Sequence, residues 1–114
     1  MSYFTANLTP EEDEVREEMA RQRAKFGPQD HPDGTENTPS TVATADRARE
    51  GCQQAAMSGQ VTWRHILWEE VAEAFAEDDP DKLLAELLQV EAVVRQWRLA
   101  IKRRRSADLP GEAK

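Results

Sequence analysis

A chain of 114 residues with 39% hydrophobic and 32% charged side chains has the size of one domain but little apolar material for a core, which leaves room for solvated segments or a core completed by self-association. Its net charge of −7 repels phosphate backbones and excludes non-specific binding to a nucleic-acid polymer. No run nears the ~20 apolar residues that span a bilayer, and the lone Cys52 has no partner for a disulfide or a CxxC metal site.

Met1-Ser2-Tyr3-Phe4 carries neither the basic nor the apolar region of a signal peptide, so the expectation is a cytoplasmic chain with no membrane partner. Residues 1–8 read as a tail. Thr9-Pro10-Glu11-Glu12 then opens a first helix, with Thr9 as N-cap, Pro10 at the first helical position and Glu12 completing a capping box. Arg21, Arg23 and Lys25 gather near its end, and Gly27-Pro28 stops it after Phe26. Its apolar stripe is thin: Val15, Met19 and Phe26.

Residues 27–40 hold three prolines, two glycines and no large apolar side chain, and read as a loop. A second helix is expected from about Thr41 to Ser58, where Val42, Ala45, Ala48, Cys52, Ala55 and Ala56 recur at helical spacing before Gly59. Thr62 is placed to cap a third helix from Trp63 to about Glu77. Asp79-Pro80 repeats the cap-then-proline signature ahead of a fourth, from about Pro80 to Arg104, with 106–114 as a second tail. The short link makes helices three and four antiparallel neighbours, and no stretch alternates as a strand does. The expected fold is therefore an all-α, four-helix bundle-like single domain over 1–114, the first helix and its loop closing one end.

On a helical wheel Trp63, Ile66, Leu67, Val71 and Ala74 share one face of helix three, and Glu70 falls among them, with Glu73 and Glu77 beside Ile66. A carboxylate inside an apolar stripe costs several kcal/mol of desolvation unless it is paired or holds a metal. Glu86 flanks the stripe of helix four, formed by Leu83, Leu87, Val90, Val94, Trp97 and Ile101.

Glu69-Glu70-Val71-Ala72-Glu73 followed by Glu86-Leu87-Leu88-Gln89 resembles the E-E-x-x-E and E-x-x-D helices of the MazG-like nucleotide pyrophosphohydrolases. The resemblance covers residues 62–98, and Lys25-Phe26-Gly27-Pro28-Gln29-Asp30-His31-Pro32 is similar to a segment of small actinomycete and phage members. It implies hydrolysis of a nucleoside triphosphate to monophosphate and pyrophosphate. It also implies Mg²⁺, or Mn²⁺, on Glu70, Glu73, Glu86 and Gln89, with Glu69 and Glu70 catalytic and a homodimer or homotetramer as the assembly. Hard oxygen ligands suit both ions. Gln89 departs from the family's Asp, and the loss of a charge leaves open a catalytically impaired nucleotide-binding homologue or an oligomerising helical module.

A solvated acidic face is the plain alternative for the glutamates. Trp63 and Trp97 read first as core, although a nucleotide pocket uses the same residue type. His65 reads as a polar or packing residue, and Cys52 as a small core residue. Cations at the end of helix four complement its dipole. The substrate-contact candidates are Lys25, His31, Trp63, Arg98 and Lys102.

Overall fold

The computed structural model describes residues 8–108, and these form four helices with no strand: α1 (Pro10–Phe26), α2 (Pro39–Met57), α3 (Trp63–Phe75) and α4 (Pro80–Asp108). The expected tails at 1–7 and 109–114 lie outside the described residues. Residues 106–108, expected in the second tail, continue α4 instead. The chain divides into two compact units, Met1–Asp33 and Gly34–Lys114. Among the described residues, no helix is long and apolar enough to cross a membrane.

The first unit is α1 and the residues that follow it. Thr9 Oγ1 accepts the Glu12 N–H at 3.2 Å and Glu12 Oε2 accepts the Thr9 N–H at 3.2 Å, the reciprocal box expected from Thr9-Pro10-Glu11-Glu12. Gly27, at φ 72°, ends the helix in a conformation that a side chain would strain, its N–H donating to Arg23 O at 2.7 Å. α1 buries none of its residues.

In the second unit α3 packs against α2 and against α4. α2 begins two residues before the expected start, because Thr38-Pro39 is a cap-then-proline signature inside the stretch read as loop; Thr38 Oγ1 accepts the Thr41 N–H at 3.2 Å. Its other end is a Schellman turn: Gln60 N–H donates to Ala55 O and Gly59 N–H to Ala56 O, with Gly59 at φ 73°. Residues 35–37 are no idle connection either. Thr35 Oγ1 donates to Glu77 O at 2.6 Å, Glu36 N–H to Phe75 O at 3.1 Å and Asn37 Nδ2 to Ala76 O at 3.0 Å, satisfying carbonyls at the C-terminal end of α3. Four residues join α3 to α4, with Asp79 Oδ2 accepting the Lys82 N–H at 3.0 Å as expected of a cap.

The core is built of small side chains: Ala45 and Ala48 of α2 cluster with Ala72 and Ala76, while Ala74 and Leu83 are also buried. Small residues let helix axes approach closely. The sequence reading gave α3 one inward face, yet α3 lies between two neighbours and needs apolar surface on both sides. Ala72 and Ala76 therefore join Ala74 inside, and Trp63, Ile66, Leu67 and Val71 are only half-buried. The expected stripe of α4 departs further: Leu83 is buried and Val90 and Trp97 half-buried, while Leu87, Val94 and Ile101 are exposed. No large side chain among the described residues is fully buried.

Candidate metal centre

α3 carries the acids because its register leaves Glu69, Glu70 and Glu73 within one turn of each other. Each offers a carboxylate oxygen within 4.8 Å of the others, and all three are half-buried. Glu86 of α4 is outside that grouping but belongs to the same electrostatic unit. Burial raises the Glu70 carboxyl above its ordinary range, and Glu73, Glu69 and Glu86 raise it further. Burial likewise raises Glu86, with Glu73 and Glu77 adding to it and Arg49 opposing. Glu70 Oε2 and Glu86 Oε2 are buried with no hydrogen-bond partner. Such oxygens are costly to leave bare, and a hard cation satisfies them, so the donor set fits Mg²⁺ or Mn²⁺.

α2 supplies two groups that the sequence reading did not connect with the acids. Arg49 Nη2 donates to Glu73 Oε2 at 3.1 Å while its Nη1 pairs with Asp46 Oδ1 at 3.1 Å, and these acids, Glu73 foremost, raise the guanidinium pKa. Cys52, expected as a small core residue, is half-buried and free. Burial, then Glu69, pushes that thiol pKa up, which keeps it protonated and unreactive. Arg49 and Cys52 sit one turn apart beside the buried Ala45 and Ala48; that spacing marks the packed side of α2 but does not tell which acids lie opposite.

The remaining candidates fall in several places. Gln89 is exposed on α4, one turn after Glu86. Glu77 is engaged in the α3–α4 link, its Oε2 accepting the Asp79 N–H at 3.0 Å. Lys25 lies over the Phe26 ring at 5.2 Å, and His31 Nε2 is 3.1 Å from Gln29 Oε1; both belong to the first unit. Trp63 is half-buried at the start of α3, and Arg98 and Lys102 are half-buried on α4. His65 closes the Thr62 cap: Thr62 Oγ1 accepts the His65 N–H at 3.3 Å and Thr62 N–H donates to His65 Nδ1 at 3.1 Å.

Trp68, 49% exposed, lines two grooves. One, of about 1030 Å³, is lined by Thr62, Arg64, His65, Leu67, Trp68, Val71 and Trp97, joining the start of α3 to the latter half of α4 as an antiparallel hairpin requires. The other, of about 330 Å³, runs along α2 past Arg47 and reaches Cys52. Compared with protein-family models, curated proteins and solved structures, the chain gives no match.

Proposed function

We propose that Glu69, Glu70, Glu73 and Glu86 form a divalent-cation site and that the chain hydrolyses a nucleoside triphosphate to monophosphate and pyrophosphate, working as a homodimer or homotetramer. The observation that supports this most is the pair of buried, partnerless oxygens on Glu70 and Glu86, with Glu69 and Glu73 converging on Glu70. Bound Mg²⁺ or Mn²⁺ would neutralise phosphate charge and lower the pKa of an attacking water. Glu70, Glu73 and Glu86 would hold the ion. Glu69, within 4.8 Å of Glu70 and Glu73, would orient that water. Arg49 neutralises Glu73 when no ion is bound. The groove lined by Trp68, Trp97, Leu67 and Val71, with Arg64 also in its lining, would offer a nucleobase a largely apolar surface.

The test is pyrophosphate release from a panel of NTPs and dNTPs with Mg²⁺ and with Mn²⁺. Turnover that is lost in Glu70→Gln, while helical content is kept, is the expected result; no pyrophosphate from any nucleotide with either ion overturns the reading. A second reading, a nucleotide-binding homologue without turnover, is favoured by two observations: Arg49 already satisfies part of the acidic charge, and exposed Gln89 adds none. Nucleotide binding without pyrophosphate release distinguishes it.

A further inference from the structure

Arg49 of α2 donates from Nη2 to Glu73 Oε2 at 3.1 Å, and Glu73 is one of the carboxylates that converge on α3. As a brace between helices the pair is weak, because the two side chains are 41% and 23% exposed and exposed ion pairs add little to stability. As a counter-ion it is well placed. The guanidinium is forked, and while Nη2 covers Glu73, Nη1 reaches back one turn to Asp46 Oδ1 at 3.1 Å. Its charge also opposes the rise of the Glu86 carboxyl, so it is felt on both helices that carry the acids.

We infer that Arg49 is an internal counter-ion of this site: it covers Glu73 when no ion is bound, yields that carboxylate to a divalent cation, and passes to a phosphate group of the ligand that comes with the cation. The inference rests on the cation site of the reading above. Arg49 and a divalent ion carry like charge and need the same carboxylate, so Arg49 weakens binding of the ion by itself. Displacement from Glu73 does not free Arg49 to drift away, because Asp46 still holds its other nitrogen. A guanidinium anchored on one side presents its remaining N–H groups to an anion, and phosphate oxygens match that planar fork. Ion and phosphate therefore bind with positive coupling, since the phosphate gives the displaced charge a new partner.

Calorimetric titration of the full chain with Mn²⁺ alone, and with Mn²⁺ as its tripolyphosphate complex, tests both halves. For Mn²⁺ alone, Arg49→Gln is expected to bind about fivefold tighter than wild type, the low end of coupling between two ligands, because the pair is part-exposed. For the complex the order reverses: Arg49→Gln is expected to bind about tenfold more weakly, having lost a hydrogen bond between charged groups. Arg47→Gln removes the same charge from an exposed position two residues away, about 200° around α2, and is expected to match wild type in both titrations. Unchanged Mn²⁺ affinity in Arg49→Gln overturns the inference, and so does an equal gain in Arg47→Gln, which marks general charge repulsion. A complex held as tightly by Arg49→Gln as by wild type overturns the passage to phosphate. No binding of Mn²⁺ to wild type or to Arg49→Gln overturns the cation site itself, whereas the expected pair of shifts without pyrophosphate release upholds the inference and overturns the hydrolase alone.

Discussion

Replacing Glu70 by Gln keeps the side-chain volume and removes one charge from three carboxylates no more than 4.8 Å apart. Unit charges at that separation repel by about 0.9 kcal/mol in water and about 3.5 kcal/mol at an effective dielectric of ~20. Two of the three repulsions disappear with Glu70. All three acids are half-buried, and Glu73 is already shared with Arg49, so the net gain belongs near the lower value: about 1–2 kcal/mol, or about 5–10 °C in Tm for a unit of this size. The sign of the pH dependence follows from the raised carboxyl. Between the ordinary unfolded-state value and the higher folded value, the native state holds a proton that the unfolded chain has released, so wild-type stability falls as pH rises through that window. The variant's amide has no such proton. The advantage of Glu70→Gln is therefore complete above the folded-state value and vanishes below the unfolded one, while Glu86, raised in the same way, leaves both proteins a shared slope. Thermal melts in chelator at about pH 8 and about pH 4 measure it. No gain at the higher pH, or a gain that survives at the lower, refutes the charge argument. Adding Mg²⁺ is expected to stabilise wild type and not the variant.

Three further outcomes are expected. Arg49→Gln removes the cation from Glu73 and is expected to lower the urea midpoint of the metal-free protein slightly, since the pair is part-exposed and screened by solvent. Ala72→Leu forces a large side chain into a site 2% exposed and is expected to cost about 1–3 kcal/mol, whereas the same change at Ala92, exposed on α4, leaves the urea midpoint within experimental error. Asn37→Ala deprives Ala76 O of its 3.0 Å donor and is expected to cost about 1 kcal/mol, read as faster amide exchange at the end of α3.

Local chemistry carried most of the fold. Thr9, Thr62 and Asp79 stand where caps are required, Gly27 and Gly59 where a helix must turn out of register, and each acts through neighbours within a few residues, which is why the helices were legible without tertiary information. The nearness of Glu69, Glu70 and Glu73 is legible for the same reason, being a property of one helix turn. Everything that depends on what lies opposite was decided by packing. Periodicity could not tell that α3 has neighbours on two sides, so alanines and not the expected Ile66, Leu67 and Val71 fill the buried positions. Nor could it place Arg49 on Glu73, 24 residues away, or bring Asn37 to Ala76 O. Burial of Glu70 Oε2 and Glu86 Oε2 likewise arises only when α3 and α4 close on each other, because desolvation is set by the neighbours that exclude water and not by the residue that carries the charge.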